Sequence, residues 1–178
     1  MRQLRTIVAW VEDRPGVLNR VVSLFRRRNY NIDSLTVGST ERPGVSRLTI
    51  KLEADDDAAR RLEANLYKLV NVLLVDDVTA KPNVSHELAL IKVRAAPEVR
   101  PNVLQLIEVF RGHAVDVGPE TLIVEIAGAC DKVDGLVEVL RPFGIVEVTR
   151  TGVLAMRRGN APVKAPVDRE FADLEAAE

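Results

Sequence analysis

The sequence predicts an α+β protein made of two tandem ferredoxin-like βαββαβ units. Three observations lead there. Short apolar runs alternate with amphipathic ones in the order βαββαβ over residues 1–80. A polar stretch with one proline, "AKPNVSH", follows, and the same element order then returns over residues 87–158. The boundaries are 1–80 for the first unit, 81–86 for a linker, 87–158 for the second unit and 159–178 for a tail. The 178 residues suffice for one ordinary domain or two small ones, and a 47% hydrophobic content is enough to build cores.

Each element has its local reason. "LRTIVAWV" at 4–11 is short, rich in strand formers and apolar on both faces, as a central strand should be. From Val17 the period changes: Leu18, Val21, Val22 and Phe25 recur at helical spacing, which predicts helix one with these residues inward. Asn29-Tyr30-Asn31 closes it, because asparagine tolerates the left-handed conformation common at helix ends. "IDSLTVGS" is strand two, "ERPG" a turn, and "VSRLTIKLE" a strand with Leu48, Ile50 and Leu52 on one face and Arg47, Thr49 and Lys51 on the other. Asp55-Asp56-Asp57 opens a second helix carrying Ala58, Leu62, Leu66 and Leu69 on one side, and "VNVLLVDDV" is the last strand.

In the second half, "ELALIKV" is a strand and residues 98–111 a helix. "AVDVGPETLIVEIAG" gives two strands broken at Gly118-Pro119, residues 131–141 a helix, and "GIVEVTRTGVLAM" a final strand. From Arg158 onward apolar periodicity fades, which predicts a mobile tail with at most a short helix around Phe171 to Leu174.

Several function classes lose support at this stage. The 25 basic and 26 acidic side chains nearly cancel, so no global field recruits nucleic acid or an anionic membrane. The single cysteine, Cys130, excludes an internal disulfide framework, and the N-terminal apolar run is too short for a signal core or a span, so the cytoplasm is the expected location. His86 and His113 stand far apart, outside any ligand or triad spacing, and neither G-x-G-x-x-G nor G-x-x-x-x-G-K-[ST] occurs. No independent active site and no metal or cofactor site are therefore expected. Asp55 to Asp57 are read as helix capping, and Arg26 to Arg28 as matching a helix C-terminus, with a docking patch for an acidic surface as the functional alternative. The RNA-recognition fold shares the βαββαβ order, but its aromatic platform is missing: "VSRLTIKL" holds no aromatic residue.

The local candidate for binding is the turn "DRPGVLNR" at 13–20, between strand one and helix one. A helix start leaves backbone N–H groups unpaired and partly positive, Gly16 permits close approach, and Pro15 surrenders a donor that a helix start does not need. Asp13 is placed either to attract an ammonium group or to cap the turn. An anion site beside a carboxylate suits a zwitterion such as a free amino acid, although an ordinary capped βα turn is the commoner arrangement for eight such residues.

Beyond the turn, "VEDRPGVLNRVVSLFRRRNYNIDSLTVGSTERPGVSRLTI" resembles the N-terminal ACT domain of the small regulatory subunit of acetohydroxyacid synthase (acetolactate synthase). "PGVL", "LF", "YNIDSLTVG" and "YKLVNVL" come in that family's order, and "ELALIKV", "VDVGPETLIVEIAG" and "DKVDGLVEVLRPFGIVEVTRTGVLAMRRG" are similar to its C-terminal domain. The likeness covers roughly residues 2–159.

The resemblance implies a regulatory subunit without its own active site, at least a homodimer. Such a chain activates a catalytic (large) subunit and confers feedback inhibition by a branched-chain amino acid, usually valine, in valine, leucine and isoleucine biosynthesis. Thiamine diphosphate, magnesium and FAD are then expected on the catalytic partner and none on this chain. The implied effector-binding residues are Asp13, Gly16, Val17 and Leu18 on one side and Asn31 and Ile32 on the other, at the interface of paired ACT domains. Asn29 stands where the family usually has glycine, and Asp13 where asparagine also occurs. The alternative is a stand-alone ACT amino-acid sensor acting on a different enzyme or a transcription factor.

Overall fold

The computed structural model describes residues 2–159; all of the segment read as a tail except Gly159, with the helix suggested around Phe171, lies outside them. The described residues up to Val84, with those from Ala155, form one compact unit, and Ser85–Leu154 form a second. The first contains β1 (Gln3–Glu12), α1 (Val17–Arg27), β2 (Ser34–Ser39), β3 (Val45–Ala54), α2 (Asp56–Leu66) and β4 (Val72–Asp77). Next come β5 (Asn83–Arg94), α3 (Arg100–Val109), β6 (His113–Val117), β7 (Thr121–Gly128), α4 (Cys130–Leu140), β8 (Ile145–Arg150) and β9 (Leu154–Arg157). The antiparallel sheets run β2-β3-β1-β4 and β6-β7-β5-β8, with β9 paired to β5. The same strand permutation occurs twice, which is the predicted α+β architecture of two ferredoxin-like units.

In the first unit Ile7, Ala9 and Val11 of β1 and Leu48, Ile50 and Leu52 of β3 present one buried face to Leu62 and Leu66 of α2 and the buried stripe of α1. Burying a side chain of this size contributes about 1.5–3 kcal/mol, so this face fixes the strand register. Asn29 ends α1 at φ 56, and Tyr30 packs edge-on to Phe25, with its hydroxyl donating to the Ala58 carbonyl at 3.2 Å. The second core repeats the plan with Ala89, Ile91 and Val93 of β5 and Leu122, Val124 and Ile126 of β7 beneath α3 and α4.

Four expectations change. The buried stripe of α1 is Val17, Val21, Leu24 and Phe25, whereas Leu18 and Val22 are 42% and 37% exposed. The helix carries more apolar surface than one sheet can cover, so a second stripe is left outward. Thr49, expected on an open polar face, is 2% exposed beside the fully buried Val8. The end of the described chain explains it: Arg47 donates to the Ala155 carbonyl and Arg157 pairs with Asp76, which is the cross-strand neighbour of Val8. "GIVEVTRTGVLAM" is two strands, parted where Gly152 takes φ 81. Finally, β5 begins at Asn83 rather than Glu87, because the Arg158 N–H donates to the Pro82 carbonyl and the Arg158 side chain to the Asn83 carbonyl.

Candidate functional site

The turn between β1 and α1 is anchored on both flanks. The Asp13 N–H donates to the Gly44 carbonyl at 2.8 Å and the Glu12 N–H to the Asn71 carbonyl at 2.9 Å. Gly16 is the N-cap residue of α1 at φ 84, ψ −9, a left-handed conformation that costs an ordinary L-residue about 1–2 kcal/mol. A Cβ built there meets nothing within 4 Å, so it is the backbone angle rather than crowding that favours glycine. No side chain caps this helix start and no acidic residue lies in its first turn, so Asp13, which is exposed, is not a cap. The Val17 N–H turns back to the Arg14 carbonyl at 3.3 Å and the helical ladder begins with Arg20 N–H to Gly16 carbonyl at 3.1 Å. The Leu18 and Asn19 N–H groups therefore lie outside the ladder at the positive end of the helix. Val17 offers no side chain, being 4% exposed and part of the core, whereas Leu18 stands outside.

A side-chain network that local sequence does not announce lies beside this turn. Asn71, in the turn before β4, donates through its amide nitrogen to Glu12 Oε2 at 2.6 Å and accepts from Arg20 Nη1 at 2.6 Å, while Arg14 pairs with Glu12 at 3.5 Å. Only the oddity of Arg20 near a helix start, where positive charge is unfavourable, hints at a partner.

Asn31 and Ile32 lie beyond the other end of α1. Eleven helical residues separate the two places, about 16 Å at 1.5 Å per residue. Asn31 is exposed, with its amide nitrogen donating to Asp33 Oδ1 at 3.3 Å, and Ile32 is half-buried against the first core. A polar cavity of about 410 Å³ opens here between Arg28, Tyr30, Asn31, Asp33, Asp55 and Arg61, and neither Asp13, Gly16, Val17 nor Leu18 borders it. One protomer therefore does not bring the two groups of sequence-identified residues together.

The opening of α2 is the electrostatic opposite of that of α1. Asp55 accepts from the Ala58 N–H at 2.7 Å, which holds its carboxyl below the usual aspartate range, and Asp56 and Asp57 fill the first turn. The acidic triplet caps a helix, as its position suggests.

The remaining candidates stay apart. His86 and His113 are exposed on different strands, and Cys130 is half-buried at the start of α4. Among the described residues no group of three or more His, Cys, Asp and Glu side chains is placed to hold a metal ion, and no helix is long and apolar enough to cross a membrane.

Comparison with known proteins agrees with the geometry. A family model described as an AHAS small subunit-like ACT domain matches residues 7–74, and one described as the small subunit of acetolactate synthase matches residues 86–159. The probable acetolactate synthase small subunit of Archaeoglobus fulgidus is 46% identical over 155 residues, covering 87% of this chain and 97% of that protein. The acetolactate synthase small subunit of Bacillus subtilis is 45% identical over 157 residues, covering 87% and 91%. The crystal structure of the small subunit from Thermotoga maritima superposes with a TM-score of 0.82 at 40% identity, over 89% of this chain and 99% of that one. With an ACT-type unit followed by the family's own second domain, the chain belongs to the acetolactate synthase small subunit family.

Proposed function

We propose that this chain is the regulatory subunit of an acetolactate synthase. It performs no chemistry itself, activates the catalytic (large) subunit in the cytoplasm, and makes that subunit sensitive to feedback inhibition by a branched-chain amino acid, valine. Thiamine diphosphate, magnesium and FAD belong to the catalytic partner.

The observation that carries the effector site is the uncapped, acid-free start of α1 behind a left-handed Gly16. The effector carboxylate accepts from the N–H groups of Gly16 and Leu18, the Asp13 carboxylate attracts the ammonium, and the buried Val17 contributes backbone alone. Asn31 and Ile32 complete the pocket from a second copy of the chain, the Asn31 amide donating and accepting. Two features support a paired arrangement. Leu18 and Val22 form an exposed apolar stripe along α1, and β2, the edge strand of its sheet, carries the 44% exposed Val37.

An effector bridging two copies favours the arrangement that binds it better, and a catalytic partner that distinguishes the arrangements feels the difference. Coupling of about 1–3 kcal/mol is sufficient for feedback control. The test is reconstitution of the chain with the catalytic subunit of its own acetolactate synthase. The expected result is a higher rate of pyruvate condensation that valine then suppresses. An unchanged rate and unchanged valine sensitivity would contradict the proposal.

A further inference from the structure

The structure assigns to Asn71 the role of a positioning residue for the β1–α1 turn, and the assignment rests on the proposed reading of that turn as the effector site. Three observations carry it. Asn71 holds Glu12 twice, by its backbone carbonyl at 2.9 Å and its side-chain amide nitrogen at 2.6 Å, at the last residue of β1 before the turn. Its amide oxygen simultaneously accepts from Arg20, 2.6 Å away, one helical turn beyond Gly16. One neutral side chain thus ties the two ends of the turn together from a segment 51 residues further along the chain.

The charges give the arrangement its consequence. Arg20 opposes the dipole of α1 where it stands, and the first turn of that helix offers no acid to relieve it. An asparagine oxygen holds the guanidinium in place without neutralising it, so its positive charge remains available to an anion at the helix start. Glu12 is the carboxylate that ends β1 beside this anion site, and it is only 17% exposed. The Asn71 amide and Arg14 keep it occupied, which limits its repulsion of an effector carboxylate. An asparagine amide can donate to a carboxylate and accept from a guanidinium at once; an ionised aspartate cannot donate, and a hydrocarbon can do neither.

The test reverses the polarity of the network in the reconstituted holoenzyme. Asn71→Asp places a second carboxylate against Glu12 and neutralises Arg20, so the valine concentration for half-inhibition is expected to rise by about tenfold or more, tenfold being 1.4 kcal/mol. Adding Glu12→Gln removes the facing carboxylates and restores one donor and one acceptor, while the new carboxylate at position 71 still neutralises Arg20. The double variant Glu12→Gln/Asn71→Asp should therefore regain at least about threefold in sensitivity, or 0.65 kcal/mol, without reaching wild type. Basal activation of the catalytic subunit should be the same in all three. An unshifted Asn71→Asp, or a shifted one that the double variant does not rescue, overturns the assignment. Hydrogen exchange of the bonded Val17 and Arg20 amides without effector separates this outcome from failure of the underlying reading. Exchange should quicken in Asn71→Asp and recover in the double variant even if valine inhibits none of the proteins, and uniform exchange overturns the positioning role.

Discussion

The turn that follows the first strand occurs once in each unit, at the same topological place, and the two copies are built oppositely. In the first unit it ends in a left-handed glycine, no side chain caps the helix, and N–H groups stand outside the ladder. In the second, Val99 precedes α3 in a right-handed conformation, Pro101 removes a donor, and Arg100 donates to the carbonyls of Ala95, Gly118 and Pro119. A guanidinium tied to three carbonyls stabilises the loop, and the Arg100 and Asn102 N–H groups at this helix start already donate to the Ala96 and Val99 carbonyls. The comparison teaches that the fold alone does not make an uncapped, anion-receiving helix start; the chemistry of one turn does.

Variants that change this contrast should separate the two turns. Gly16→Asp is expected to act most strongly. Aspartate tolerates the left-handed angle and has open space around its Cβ, so the chain should fold, but a negative side chain then stands where the proposed reading puts the effector carboxylate. Losing two charge-assisted hydrogen bonds of about 1.5–3 kcal/mol each predicts at least about a 100-fold rise in half-inhibiting valine, with activation of the catalytic subunit retained. Inhibition assays on the reconstituted complex measure it. Asn31→Ala removes neutral hydrogen bonds worth about 1 kcal/mol, so calorimetry should report valine binding weakened by roughly fivefold.

Arg100→Ala, in the second unit, should leave valine inhibition at the wild-type value while lowering stability by about 1–2 kcal/mol in denaturant unfolding. Asp55→Ala should likewise spare inhibition and lower the melting temperature by uncapping α2. Because the folded Asp55 carboxyl lies below its ordinary range, chiefly through the Ala58 N–H, its contribution is complete above the unfolded aspartate value near about pH 4. It is lost as pH falls through the lower folded value. The melting difference between wild type and Asp55→Ala should therefore shrink only in acid.

Much of this fold is legible in the sequence because its determinants are local. Period-two and helical patterns place β1 to β4 and α1 to α4, Asn29 marks the end of α1, and the acidic triplet marks the start of α2. What could not be read depends on distant partners. Thr49 belongs to an alternating strand whose polar face is covered by residues more than a hundred positions later. Leu18 and Val22 fit the helical period as well as Val17 and Leu24 do, and only the placement of the helix on its sheet decides which pair is buried. For the site, Gly16 and Asn31 can be picked out from the turn chemistry and the family likeness. That they lie beyond opposite ends of α1 and that Asn71 bonds Glu12 and Arg20 on either side of the turn are facts of the fold.

The two-copy site is the central claim, and a mixed dimer tests it most directly. A dimer made from one Gly16→Asp chain and one Asn31→Ala chain collects both lesions in one of its two sites if each site joins the turn of one copy to Asn31 of the other. Calorimetric titration with valine should then find one site per dimer at wild-type affinity. Finding no wild-type site would mean that each chain builds its own pocket, which would contradict the account.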